Sequence, residues 1–219
     1  MERTNKLATE SILKLILSFA IPATIANFVF ATYNIIDRIF IGRKVGSFAL
    51  SGVSLTFPIF AILIAFGTLV GIGSGTLISL KLGQNKKEDA NSILVNAIIL
   101  FSGIAFILSI LVFVFIDKIL ITFGATENTL HFAKDYLLTI TPFFVVNFMA
   151  MGMNNIVRAE GNPKIAMKTI LIGGIVHILL NPLFIYYMNL GVKGAALSTI
   201  IGNFTSAFWI IYHFTKGKK

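Results

Sequence analysis

Six long apolar runs, separated by short polar connections, dominate the pattern of this chain. A helix needs about 20 predominantly apolar residues to cross a lipid bilayer, and each run reaches that length. The runs are continuous, whereas the strands of a transmembrane barrel are about ten residues long and alternate in polarity. We therefore predict six transmembrane helices, spans one to six, over residues 15–41, 50–80, 92–116, 135–157, 168–188 and 194–214.

The composition fits a membrane protein better than a soluble one. Hydrophobic residues make up 56% of the 219 residues and charged residues only 12%, and the mean hydropathy is +0.88. A soluble domain carries roughly 25% charged residues, so this surface needs membrane lipid as its solvent. The chain has no cysteine, which excludes disulfides and cysteine-based metal or redox sites.

The net charge of +9 comes from basic residues concentrated between the apolar runs. Twelve Lys and Arg fall on one side of the predicted spans and five on the other, while Arg38 lies within span one. Because basic residues favour the cytoplasmic side, both termini are predicted to be cytoplasmic. This agrees with the even number of spans, which requires the two termini to share one side. We expect a multi-pass protein of the inner (cytoplasmic) membrane and no binding to nucleic acid.

Glycine and proline positions indicate how the spans pack and bend. Gly67, Gly71 and Gly75 are spaced by four residues in span two, so they form one face that a neighbouring helix can approach closely. That face is either plain helix packing or an interface that slides during a conformational change. Pro22 in span one and Pro58 in span two each remove a backbone donor, which predicts a helix bend.

Asp37 is the only carboxylate that falls well inside a predicted span. An ionised side chain at the centre of a span costs about 2.5–3.5 kcal/mol on insertion scales. Arg38 follows directly and so points about 100° away around the helix, which makes it a poor partner. Asp37 is therefore either a proton or cation site or a residue that reaches outward or pairs with a distant arginine.

Polar residues of spans five and six are predicted at a depth similar to that of Asp37. Asp37 precedes the outer loop by six residues, or roughly 9 Å. Asn181 and Thr199 are placed at a comparable level, and His177 one turn deeper. A layer of oxygen donors around one carboxylate suits a cation, so these four residues form the predicted cation site. Hydrogen bonding between helices is the alternative role for Asn181 and Thr199, and packing for His177.

Other polar residues within the spans are candidates for lining a substrate cavity. Asn27, Asn34 and Asp37 are separated by seven and three residues, so they share one side of span one. We expect that side to look into the bundle. The full set of cavity candidates is Asn27, Tyr33, Asn34, Asn147 and Asn203.

Five stretches of the sequence resemble the multidrug and toxic compound extrusion (MATE) transporters. Their order and spacing along the whole chain carry the resemblance more than any one motif. They are YNIIDRIFIG at 33–42, GIGS at 71–74 leading to LG at 82–83, RAEGNPK at 158–164, LNPLFI at 180–185 and GVKGAA at 191–196.

The resemblance implies two six-helix bundles, of which this chain covers the first. It implies that the substrate, usually an organic cation, leaves the cell as Na⁺ or H⁺ enters. In the prokaryotic branch that the chain resembles, Asp37 matches the span-one aspartate and Thr199 matches the threonine of the cation site. Pro22 matches a bend-forming proline, and Tyr33 matches a nearby tyrosine. Span five departs from that branch, because His177 and Asn181 stand where it has Asn and then Asp. The missing second carboxylate favours H⁺ over Na⁺ at Asp37.

These observations lead us to expect one half of a cation-coupled antiporter that exports organic cations, with no cofactor beyond its coupling ion. The expected partner is a second six-helix lobe, either a separate chain or a second copy of this one. A flippase for lipid-linked precursors would need several basic residues facing a cavity, and the spans contain only Arg38. An enzyme would need several facing acids or histidines. An inactive product of a truncated or split gene is a further alternative.

Overall fold

The computed structural model describes residues 11–216, and within that range the chain is helical, with no strand. Six of its helical segments are long and apolar enough to cross a membrane, which confirms the predicted all-α, six-helix architecture. A 3₁₀ turn at Thr141–Phe143 joins the fifth and sixth helices, and a π-helical turn at Leu183–Tyr187 extends the seventh. The helices are α1 (Ile12–Lys44), α2 (Ser47–Ser54), α3 (Phe57–Gly83), α4 (Lys87–Thr122), α5 (Glu127–Ile140), α6 (Phe144–Ala159), α7 (Pro163–Pro182) and α8 (Gly191–Lys216).

Most helices extend past the predicted spans because their end turns carry polar residues. The first turn of α4 contains Glu88 and Asp89, whose negative charge is favourable at a helix N-terminus. The fourth apolar segment likewise begins at Glu127, eight residues before the predicted start. The predicted bundle over 1–219 extends beyond the described residues at both ends. Four of the basic residues counted for the topology also lie outside them, namely Arg3, Lys6, Lys218 and Lys219.

The two prolines discussed above occupy different positions in their helices. Pro58 lies in the first turn of α3, after the helix break that follows α2. A proline fits there because the first turn has no intrahelical partner for its missing N–H, so the expected bend within a helix is wrong at Pro58. Pro22 is buried inside α1, and the helix is continuous across it. The bend at Pro22 stays a prediction.

Small residues set the contact between α3 and α6. A Cβ at Gly71 would lie 2.7 Å from the Gly152 carbonyl oxygen, and one at Gly75 would lie 2.8 Å from the Ala159 Cβ. Both separations are shorter than real Cβ contacts allow, so the two backbones meet at a distance that only glycine permits. This confirms the close helix packing predicted from the glycine spacing.

The outer surface of the bundle is strongly apolar. Phe28 and Phe208 are each 72% exposed and Leu69 is 68% exposed. Of the most apolar stretch of α1, only 11% is buried inside the structure. A soluble monomer rarely exposes contiguous apolar patches of this kind, so the surface is suited to lipid or to another membrane-embedded partner.

Candidate cation site where α1, α7 and α8 meet

Close glycine contacts bring three helices together around the candidate site. A Cβ at Gly173 of α7 would lie 2.8 Å from the Gly202 carbonyl oxygen of α8, so these two backbones nearly touch. On the next position of α7, Gly174 faces α1, and a Cβ there would lie 3.2 Å from the Tyr33 ring. Because Gly174 has no side chain, α1 can bring Tyr33 and Asp37 directly against α7.

The Asp37 carboxylate of α1 is buried at this junction and is bound by an amide. Asn181 of α7 donates from Nδ2 to Asp37 Oδ1 over 2.7 Å, and the Asn181 side chain is fully buried. A hydrogen bond to an ionised acceptor is shorter and stronger than one between neutral groups. The pair therefore ties α1 to α7 in the interior of the bundle.

His177 lies one turn before Asn181 on α7 and faces the same carboxylate. Its Nε2 is 3.8 Å from Asp37 Oδ1 and 3.5 Å from Thr199 Oγ1. The Tyr33 ring meets the imidazole edge to face, with centroids 5.1 Å apart. His177 Nδ1 is buried and has no hydrogen-bond partner among residues 11–216, so one imidazole nitrogen is available to a proton or to a small molecule such as water.

α8 supplies the hydroxyl groups of the site. Thr199 donates to the Ala195 carbonyl over 3.0 Å, which leaves its lone pairs available toward His177. Ser198 donates to Ala195 O over 2.8 Å and approaches Asn181 Oδ1 at 3.4 Å. The structure thus brings together all four residues of the predicted cation site, Asp37, Asn181, His177 and Thr199.

Two residues near the site were not among the sequence candidates. Ser198 is fully buried against Asn181, but a serine beside Thr199 carries no signal of its own in a sequence. Tyr136 of α5 is buried as well, and its hydroxyl lies beside Thr199. Tyr136 was missed because it follows two charged residues, Lys134 and Asp135. With span four predicted to start at 135, Tyr136 was expected at the membrane edge.

Four of the cavity candidates are asparagines, and they divide into a half-buried pair and an exposed pair. Asn203 of α8 donates to Asn147 of α6, and both side chains are half-buried. Asn27 and Asn34 are exposed on α1, and the Asn34 amide donates to the Phe30 carbonyl of its own helix. The interpretation that this side of α1 looks into the bundle is therefore wrong for these two residues.

The reason is the narrow contact of α1 with its neighbours. Asn34 lies about 60° around the helix from Asp37, and Asn27 about 80°. Asp37 is in the contact with α7, whereas both asparagines are beyond its edge. Tyr33 lies on the other side of Asp37 from Asn34 and is half-buried against His177.

The donor set at Asp37 is suited to holding a single positive charge. It combines the Asp37 carboxylate, the Asn181 amide and the His177 imidazole, with the Thr199 hydroxyl against the imidazole. Among residues 11–216, no group of three or more His, Cys, Asp or Glu side chains is placed to hold a metal ion. Asp37 and His177 are the two titratable groups that face each other here, with 3.8 Å between Oδ1 and Nε2, and the Thr199 hydroxyl lies 3.5 Å from the same imidazole nitrogen.

Comparison with known proteins places this arrangement in a family. The MatE family model matches residues 22–183. The multidrug export protein MepA of Staphylococcus haemolyticus (strain JCSC1435) is 35% identical over 211 residues, which is 94% of this chain and 46% of that protein. The chain thus spans about half the length of the curated relatives it matches.

Solved structures agree with the sequence comparison. A MATE transporter in the straight conformation is 28% identical, with a TM-score of 0.88 over 98% of this chain and 47% of that one. A MATE transporter in the bent conformation is 29% identical, with a TM-score of 0.86 over 94% of this chain and 46% of that one. The family match covers most of the chain and includes Pro22, Asp37 and Asn181, so this chain belongs to the MatE family of multidrug and toxic compound extrusion transporters.

Proposed function

We propose that this chain is one lobe of a cation-coupled exporter of organic cations, in which Asp37 binds the coupling ion. The observation that carries the proposal is the burial of Asp37 against Asn181 and His177. An ionisable group inside a membrane span is expensive and is a functional site by default. The similarity to a multidrug export protein supports export as the direction of transport and drugs as the substrates.

The groups that face Asp37 favour H⁺ over Na⁺ as the coupling ion. A hard cation binds oxygen ligands, but Asn181 presents its amide nitrogen to Asp37, and its oxygen faces Ser198. The other group that faces Asp37 is the imidazole of His177, and the Thr199 hydroxyl lies against that imidazole. A proton needs no such oxygen shell, and histidine is the side chain that titrates nearest neutral pH.

The chemistry of the cycle follows from these contacts. A proton that reaches Asp37 from outside removes its negative charge, which weakens the hydrogen bond that Asp37 accepts from Asn181. α1 is then held less firmly against α7, and we propose that it bends at Pro22. Substrate and proton would occupy the lobe alternately. The similarity to MATE structures in both straight and bent conformations supports a change of this kind.

The complete transporter in this proposal has a second six-helix lobe in the cytoplasmic membrane. Alternating access needs an opposing wall against which one bundle can move, and this chain spans about half of its relatives. The second lobe is either a separate chain or a second copy of this one.

Efflux by the complete transporter tests the role of Asp37. Cells would carry this chain with its second lobe, and export of a fluorescent organic cation would be followed. We expect Asp37→Asn to abolish energy-dependent export. Asp117→Asn is the matched control, because Asp117 is an exposed carboxylate that pairs with Lys134 over 2.7 Å. Export by Asp37→Asn at the level of the control would refute the assignment.

Reconstitution separates the two coupling ions. In proteoliposomes that contain the complete transporter, either a pH gradient or a Na⁺ gradient is imposed while the other is held at zero. The proposal expects uptake of the organic cation to follow the pH gradient. Transport that follows only the Na⁺ gradient would contradict H⁺ coupling and leave the role of Asp37 intact.

A further inference from the structure

Two arginines on the exposed side of α1 have no partner in the described part of the chain. Arg38 and Arg43 are both exposed, and neither guanidinium makes a hydrogen bond or an ion pair among residues 11–216. Lys44, next in sequence, lies over the Tyr186 ring at 5.7 Å and so faces the bundle. Asp37 is buried toward α7, so it does not neutralise either arginine.

Three acidic residues are predicted at the same membrane side, and two of them are engaged elsewhere. Asp117 pairs with Lys134 over 2.7 Å, and Asp135 pairs with Lys193 over 3.2 Å. Both pairs join other helices, away from the exposed side of α1. The third, Glu127, lies in the first turn of α5 and forms no ion pair with either arginine among residues 11–216. The positive charge of the two arginines is therefore available to a ligand.

The two arginines border an apolar groove between α1 and α2. The groove has a volume of about 360 Å³ and is lined by Ile35, Arg38, Ile39, Gly42, Arg43 and Leu50. Arg38 and Arg43 are about 140° apart around α1. The side chains of Ile35 and Ile39 lie between them and are 58% and 44% exposed. A charged group thus stands on each flank of an apolar floor.

The depth of the arginines matches the polar edge of a membrane. Arg43 is in the last turn of α1, and Arg38 lies five residues, or about 7.5 Å, below it. A long arginine side chain extends its charged end toward the membrane surface while its stem stays among apolar groups. Both guanidinium groups can therefore reach headgroup level, where the planar fork of arginine suits a phosphate.

We propose that this groove binds a phospholipid with an anionic headgroup. The phosphate lies between Arg38 and Arg43, and an acyl chain runs over Ile35 and Ile39. A soluble phosphate would use the arginines but not the apolar floor, so the groove favours a lipid. The proposal concerns a surface apart from the Asp37 site and does not depend on the coupling ion or on the transported substrate.

Native mass spectrometry of the purified full chain tests the groove. Phosphatidylglycerol and phosphatidylcholine are added in equal amounts, and the ratio of their adducts on the same folded chain is measured, so that an unfolded fraction affects both lipids alike. We expect phosphatidylglycerol to be preferred. Arg38→Gln and Arg43→Gln should each reduce that preference about fivefold, since a basic residue near anionic lipid contributes ~1 kcal/mol.

A matched control variant and a soluble competitor test whether the lipid preference arises at the groove. Lys118→Gln removes an exposed basic residue on the same predicted membrane side but outside the groove, and it should leave the preference unchanged. Glycerol 3-phosphate, a soluble headgroup analogue, should not displace the lipid. Three results would each overturn the proposal. The preference for phosphatidylglycerol could fall as much in Lys118→Gln as in the arginine variants, or it could stay unchanged when Arg38→Gln and Arg43→Gln are combined. Full displacement of the bound lipid by glycerol 3-phosphate is the third.

Discussion

The bond between Asn181 and Asp37 should be worth more than an ordinary polar contact inside a membrane protein. Asn181 is fully buried and donates to a carboxylate over 2.7 Å. Hydrogen bonds to charged groups contribute about 1.5–3 kcal/mol, whereas polar contacts between membrane helices average roughly 0.6 kcal/mol in double-mutant cycles. We therefore expect a coupling energy of about 2 kcal/mol between Asp37→Ala and Asn181→Ala.

The chain offers its own reference for this measurement. Asn203 donates to Asn147 between α8 and α6, which is a hydrogen bond between neutral amides. Both cycles can be measured by reversible unfolding of the purified chain in mixed micelles, with SDS as the denaturant. The Asn147–Asn203 cycle should give about 0.6 kcal/mol. A coupling energy for Asp37 and Asn181 no larger than that of the amide pair would refute the view that a charged group is held there.

Two further changes test the packing and the choice of coupling ion. Gly71→Ala should destabilise the chain by about 1–3 kcal/mol in the same unfolding assay, because its Cβ would lie 2.7 Å from a backbone oxygen. Gly73→Ala, whose added Cβ would meet nothing within 4 Å, should leave stability unchanged or raise it by up to about 1 kcal/mol, because alanine is favoured over glycine inside a helix; equal effects of the two would contradict the packing. The pair His177→Asn and Asn181→Asp restores a second carboxylate, and it should make reconstituted transport depend on Na⁺; transport that still follows pH alone would show that these positions do not select the ion.

The six spans and the depth of the site were predictable from the sequence because both depend on local properties. Continuous apolar length defines a span, and a fixed rise per residue defines depth along a helix. These two rules placed Asp37, Asn181 and Thr199 at one level, and the structure joins them through hydrogen bonds and through His177. The binding of a coupling ion by these residues stays a prediction.

The orientation of α1 was not predictable in the same way. Helical periodicity gives the angles between Asn27, Asn34 and Asp37, but the width of the contact with α7 depends on which residues α7 presents. That contact is set by Gly174 against Tyr33, a pairing between residues far apart in sequence. The break between α2 and α3 has a similar origin, because the apolar run is continuous across it and only Pro58 marks the new helix start.

The glycine contact between α7 and α8 also indicates where a small molecule could inhibit transport. Gly173 and Gly202 bring the backbones of α7 and α8 into direct contact, so Asn181, His177 and Thr199 lie on two closely packed helices. Asp37 is carried on a different helix with much less of its surface buried, so it is the part of the site that can be displaced. An inhibitor of this transporter should therefore be designed to enter the interface between α1 and α7, because the close contact between α7 and α8 leaves no space for a small molecule.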